Sequence, residues 1–164
     1  MAYSLHKHLL FNEWANAKFA ETLRKVDDAV YFAAAKSSFA SIAKTVIHIW
    51  GAQHVWLRRM EGESLVAFPV RNENNKDEAL DGLVQSSTDI VRFAASKDAE
   101  FLSTVYAYKS LKGDPFEDPY EDTLFHVVNH GAYHRGQIVT LLREAGIATL
   151  PATDLIHYLR TLKR

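Results

Sequence analysis

Cysteine is absent from the 164 residues. That excludes disulfides, thiolate metal sites and a cysteine nucleophile, so any transition metal must be held by histidine, aspartate, glutamate or water. An excess of charge of one sign is missing too: 19 Lys and Arg stand against 20 Asp and Glu, a formal net charge of −1. Such a balance offers no electrostatic footprint for nucleic acid or an anionic membrane. The short basic groups Arg58-Arg59 and Arg160…Lys163-Arg164 read as solvated surface. No apolar run approaches the roughly 18 residues that span a bilayer. The segment Met1-Ala2-Tyr3-Ser4-Leu5-His6-Lys7 lacks the apolar stretch of a signal peptide. The expectation is a cytoplasmic protein with neither a membrane nor a nucleic acid as partner. Internal repeats and low-complexity segments are also missing, and the length suits one domain over 1–164 with a core that needs no staples.

What is present is helix after helix. Over residues 3–25, Leu5, Leu9, Asn12, Asn16, Phe19 and Leu23 share one narrow stripe. Two asparagines on an apolar stripe either face a polar cavity or are core amides satisfied by neighbours, because an unpaired buried amide costs about 1–3 kcal/mol. A second helix is predicted over 39–61, with Phe39, Ile42, Val46, Ile49, Trp56 and Met60 on its apolar face and Glu61-Gly62 as its stop. Residues 63–75 read as a polar connection, and a third helix runs from about Asp77 to Ala95. From 101 to 120 the pattern alternates (Ser103-Thr104-Val105-Tyr106-Ala107-Tyr108), with Lys112-Gly113-Asp114 as a turn signal and Pro119 as an interruption. This is either a short two-stranded hairpin or an irregular crossover. A fourth helix spans 120–145 and ends at Gly146; Thr153, after Pro151, then caps a short terminal helix to about Leu162. Four long amphipathic helices with a long connection between the third and fourth predict an all-α four-helix bundle.

The fourth helix carries three of the chain's eight histidines, at 126, 130 and 134. Residues four apart on a helix lie one turn above another, with Cβ atoms about 5–6 Å apart. Two imidazoles so placed can converge on one metal ion, each Zn–N bond being about 2.0–2.1 Å. A further ligand must then come from elsewhere. His48 is the leading candidate, midway along the second helix, although it lies off the main apolar stripe, beside Thr45 and Ala52 and near Lys44 and Arg59. His54 falls on another face, His6 and His8 lie in the first turns where exposure is expected, and His157 sits on the terminal helix. The histidine row is likewise distinct from the stripe of Leu124, Val128, Ala132, Val139 and Leu142. The plain alternative is a histidine-rich helix whose rings are solvated or hydrogen-bonded.

Four stretches resemble the DinB-like family of bacterial metal-binding four-helix bundles. Phe11-Asn12-Glu13-Trp14-Ala15-Asn16 resembles the family's first helix. His48, with Trp56, Leu57 and Glu61-Gly62-Glu63, resembles the second. His126-Val127-Val128-Asn129-His130 through Tyr133-His134-Arg135-Gly136-Gln137-Ile138 is the most specific match, and Thr153-Asp154-Leu155 with Tyr158-Leu159 resembles the terminal helix. The resemblance implies a ligand triad of His48, His130 and His134. It places His126 beside the site as a flanking or hydrogen-bonding residue rather than a ligand. It also implies a homodimer formed through a bundle face.

Three neutral imidazoles leave an ion its full charge and a position open for water or a substrate thiol, the pattern of a catalytic site. The metal is divalent; imidazole suits zinc or nickel, with iron and copper as further options. H-E-x-x-H is absent, since Gly131, Ala132 and Tyr133 separate His130 from His134, which disfavours a metalloprotease. Asn12, Asn16, Tyr133 and Gln137 are candidates for orienting a small-molecule substrate. The expectation is an enzyme in which the metal activates a small nucleophile; the family resemblance implies transfer or conjugation of a low-molecular-weight thiol, with metal-assisted hydrolysis as the second reaction type. The alternative is a non-catalytic metal-binding or stress-response bundle whose metal braces the fold. A fourth protein ligand would favour that alternative.

Overall fold

Serine, aspartate and asparagine at helix N-caps set the boundaries in a computed structural model that describes residues 4–65, 67–69 and 71–163. The reading of residue 3 as helical, Val66 and Val70 of the first long connection, and Arg164 of the basic terminus lie outside them. Helix α1 (Leu5–Arg24) starts where the Ser4 side chain accepts from the Lys7 N–H. Asp27 caps the single turn α2 (Asp28–Tyr31), Ser41 caps α3 (Ile42–Met60) and Asn75 caps α4 (Lys76–Ala95). Each cap satisfies an amide that the first turn would otherwise orphan. Asp98 caps the short α5 (Ala99–Leu102), and the antiparallel strands β1 (Val105–Lys109) and β2 (Pro115–Pro119) follow. Helix α6 (Tyr120–Glu144) begins directly after β2 without a side-chain cap, but Glu121 and Asp122 in its first turn complement the helix dipole. The terminal α7 (Leu155–Thr161) packs Tyr158 on Phe11 and Trp14 of α1. Gly62 and Gly146, at φ 93° and 79°, terminate α3 and α6 in the left-handed region that favours glycine.

The expected helical bundle is present, and the alternating segment forms the hairpin rather than an irregular crossover, paired from Val105 opposite Pro119 to Lys109 opposite Pro115. Two boundaries differ, and two single turns are additional. Phe39 lies in a turn ahead of α3, because Ser41 takes the N-cap and Ala40 adopts φ 57°. The cap position of α7 is Asp154, not Thr153. The single turns α2 and α5 are too short to show a helical period in the sequence.

Helices α1 and α3 each pack against both α4 and α6, so α1 faces α3 across one diagonal of the bundle and α4 faces α6 across the other. The core has two apolar halves. Phe19, Leu23, Ile49, Leu83, Ile138 and Leu142 belong to one, and Leu9, Met60, Ile90, Leu124 and Val128 to the other. Between them on every long helix lies a buried polar residue: Asn12 and Asn16, Gln53, Ser86 and Ser87, and Arg135. Arg135 donates to Asn12 Oδ1 and Asn16 Oδ1, both at 2.7 Å. Gln53 Oε1 accepts from both asparagine amides and from the Ser87 hydroxyl, while its Nε2 donates to Ser86 Oγ and the Leu83 carbonyl. Gly131 leaves room for this layer, since a β-carbon there would come within 2.9 Å of Arg135 Nη1 and 3.0 Å of Asn12 Oδ1. Among the described residues no helix is long and apolar enough to cross a membrane.

Candidate metal centre

The buried face of α6 is centred on Leu124, Val127, Val128, Gly131, Arg135, Ile138 and Leu142, and Ala132, expected on the apolar stripe, is exposed. This places His130 and His134 at the flank of the buried face, on the seam with α3, where His48 meets them. His48 Nε2 lies 2.9 Å from His130 Nε2, and His130 Nε2 lies 3.1 Å from His134 Nε2. One nitrogen from each of the three rings fits within a span of 4.8 Å. Two 2.0–2.1 Å bonds at a tetrahedral angle require donors about 3.3 Å apart. The observed spacings are within a few tenths of an ångström of that, so the three imidazoles could hold a metal ion.

The surroundings bias these rings toward ligation. Gln137 Oε1 lies 2.8 Å from His134 Nδ1, and since a carboxamide oxygen can only accept, the proton sits on Nδ1 and the Nε2 lone pair points into the cluster. Gln137 is held in turn by Ser38 Oγ. Phe39 stacks on His48 with ring centroids 3.9 Å apart. Burial, then the neighbouring His134, pushes the His48 pKa down to about 4. Burial, then His134, His48 and His126, pushes His130 down to about 3. Both rings are therefore neutral at physiological pH, the form that binds metal.

His126 stands outside this cluster. Its ring packs edge-on against Trp56 and lies 5.8 Å from that of His130, and it is not among the three histidines whose nitrogens converge. Tyr133 touches the His134 ring but is 65% exposed. Asn12 and Asn16 belong to the core layer and hydrogen-bond to no triad histidine among the described residues. They are core amides satisfied by side chains, not groups lining a cavity. His54 and His157 are not in the cluster, and His8, expected to be exposed, is half-buried against Phe11 and Phe125.

Beside the triad lies a cleft of about 490 Å³, reached by His48 and His130 and walled by Trp56, Phe68, Tyr108 and Phe116. Phe68 comes from the 63–75 connection and Tyr108 and Phe116 from the hairpin, so both long connections shape it. Sequence reasoning missed three residues here. Phe39 was assigned to the apolar face of a helix, Phe68 lay in a polar connection, and Arg59 was read as solvated yet is 6% exposed. The wheel position of Arg59 near His48 was the one available signal for it.

Comparison with known proteins bears on the family and the fold. Protein DinB of Bacillus subtilis (strain 168) is 27% identical over 157 residues, covering 91% of this chain and 90% of that protein. The crystal structure of a DinB-like protein from Bacillus cereus ATCC 10987 matches with a TM-score of 0.61 at 19% identity, over 86% of this chain and 91% of the other, so the bundle is a shared fold. The DinB family model matches residues 1–162, nearly the entire length, and the chain belongs to the DinB family.

Proposed function

We propose that the chain is a metal-dependent enzyme in which His48, His130 and His134 hold one divalent transition ion, zinc or nickel, beside a cleft that admits a small nucleophile. A low-molecular-weight thiol is the favoured nucleophile, and transfer or conjugation the favoured reaction. The observation that carries this reading is the convergence of three Nε2 atoms, 2.9 and 3.1 Å apart in sequence round the cluster, at the edge of an aromatic-walled cleft. An ion held there supplies Lewis acidity, which lowers the pKa of a nucleophile or polarises a carbonyl. Gln137 orients His134, Phe39 fixes the His48 ring plane, and Trp56 and Phe116 give the cleft apolar walls against which a substrate can pack. A thiol starts from a pKa of about 8.5 and needs only modest help to ionise at neutral pH. Hydrolysis would call for a positioned base, and the carboxylate at this cleft, Asp114, is exposed and already accepts from Ser110. In conjugation the thiol sulfur forms the new bond, the electrophile loses its leaving group, and the thiol proton passes to solvent.

The test is the apparent pKa of cysteine, followed by thiolate ultraviolet absorbance, with equimolar zinc-loaded protein. A drop of one unit or more, absent with His48→Ala, is expected. Full zinc loading with no change in the thiol would favour the alternative, an ion that only braces the bundle.

Metal affinity should also depend weakly on pH. Protons compete with metal for a ligand only near its pKa. Three ordinary imidazoles would make log affinity fall with a slope approaching three per pH unit below about 6.5. His48 at about 4 and His130 at about 3 drop out of that competition. The expected slope between pH 6.5 and 5 is at most one, read by competition with a chromophoric chelator.

A further inference from the structure

Among the described residues, Arg59 is a buried cation without a counter-charge. Its guanidinium carries five N–H donors, yet among the described residues it makes no hydrogen bond and no ion pair, and its Nε is wholly buried without a partner. Its contacts are faces of aromatic rings, Trp56 at 4.7 Å and Tyr108 at 5.0 Å. Buried polar groups are nearly always satisfied, and an exception beside a cleft asks for a missing partner. Acidic groups nearby are otherwise engaged. Asp118 accepts from the Tyr108 hydroxyl, and Asp114 at the hairpin tip accepts from Ser110.

The placement of Arg59 follows from helix geometry. His48, Ala52, Val55 and Arg59 stand at positions i, i+4, i+7 and i+11 of α3, one face of the helix, and all four line the cleft. Eleven residues span about 16 Å of helix axis. The floor of the cleft thus runs from a histidine of the triad, over two small apolar side chains, to an unpaired guanidinium.

We propose that Arg59 is the anion-binding residue of this cleft, and that the substrate is an elongated small molecule with an oxyanion at one end, an apolar body, and its reacting atom at the triad end. A planar guanidinium pairs with carboxylate or phosphate through two parallel hydrogen bonds. The aromatic rings hold it flat while its edge stays free for that pairing. The inference rests on the reading of the triad as the reacting end, but the anion subsite is testable without metal.

The experiment titrates benzoate, phenyl phosphate and benzamide into chelator-treated, metal-free protein, following the Trp56 indole N–H by NMR. Saturable binding of an anion is expected with none by neutral benzamide, at least tenfold weaker binding in Arg59→Met, and partial recovery in Arg59→Lys. The tighter of the two anions names the group, carboxylate or phosphate. Benzamide binding as well as benzoate in the wild type would overturn the proposal, whatever the fate of the variants. So would an Arg59→Met protein of unchanged melting temperature that binds as tightly as wild type, or benzoate binding that appears only with metal and is indifferent to Arg59. Elemental analysis of Arg59→Met separates the two readings, since its metal content is expected to stay at one ion per chain.

Discussion

His130→Ala is expected to abolish stoichiometric binding of zinc or nickel while leaving the helix content unchanged. His130 is the hinge of the cluster, within 2.9 Å of His48 and 3.1 Å of His134 through the same nitrogen. Without it, two imidazoles remain from two different helices, and chelation by one helix is lost. The expected loss exceeds the roughly 10–100-fold that follows from removing a ligand's outer hydrogen-bond partner. Gln137→Ala supplies that smaller reference, because it removes the acceptor of the His134 Nδ1 proton. His134→Ala should match His130→Ala, whereas His54→Ala and His157→Ala should keep wild-type metal content. Elemental analysis of protein purified without chelator checks the series. One metal ion per chain in His130→Ala would remove the basis for the triad. The bundle itself should tolerate the change, since His130 is half-buried and among the described residues its ring nitrogens hydrogen-bond only to the other two histidines.

Periodicity made the long helices legible because each buries one face, and a period of 3.6 survives even where a polar residue interrupts the stripe. Leu9, Asn12, Asn16, Phe19 and Leu23 are all buried, asparagines included. The same method misjudged α6 for a physical reason. Arg135 is 3% exposed at the centre of its buried face, and a charged residue there displaces the apparent stripe toward Ala132, which is exposed. Hydrophobicity alone does not locate a face whose middle is a guanidinium. Arg59 failed in the same way, read as solvent-facing because it is charged and follows Arg58, which does pair with Glu61 and Glu63 at the surface.

The histidine pair of α6 was legible from spacing, whereas the third histidine of the cluster was legible only as a candidate. His48 lies 82 residues before His130, and which face of α3 turns toward α6 depends on how four helices pack. Its place midway along the second helix made it the leading candidate in the sequence, and the family resemblance added it to the implied triad. Phe39 and Phe68 were illegible for another reason. Each lies in irregular chain, Phe39 in a turn and Phe68 in the 63–75 connection, and reaches His48 by chain path rather than by any periodic pattern. The hairpin was readable as alternation, but not the fact that Tyr108 and Phe116 would wall the cleft.

The layer that splits the core also yields the largest expected stability effect, that of Asn16→Ala. Asn16 is fully buried on α1, and its side chain reaches every other long helix: Gln53 on α3, Ser87 on α4 and Arg135 on α6. Truncation leaves Gln53 and Ser87 with other partners, since Gln53 still meets Asn12 and Ser87 still donates to the Leu83 carbonyl. Arg135 is the group that suffers. Burial already pushes its pKa down to about 10, so it stays charged at neutral pH, and it has no carboxylate partner among the described residues. Losing one of its two acceptors, together with the cavity left behind, should cost about 2–4 kcal/mol. For a domain of this size that is a fall of roughly 5–15 °C in melting temperature. Arg135→Met alone should also destabilise, by leaving Asn12 and Asn16 short of a donor. The double variant Asn16→Ala/Arg135→Met should cost less than the sum of the two, by about 1–3 kcal/mol, because neither an unpaired cation nor an unpaired Asn16 remains. Denaturant titration of the four proteins measures that coupling. Strict additivity would mean that Arg135 is compensated by something other than the asparagines. The polar layer would then be a set of separate contacts, rather than the joint that holds the four helices in register and brings His48 level with His130.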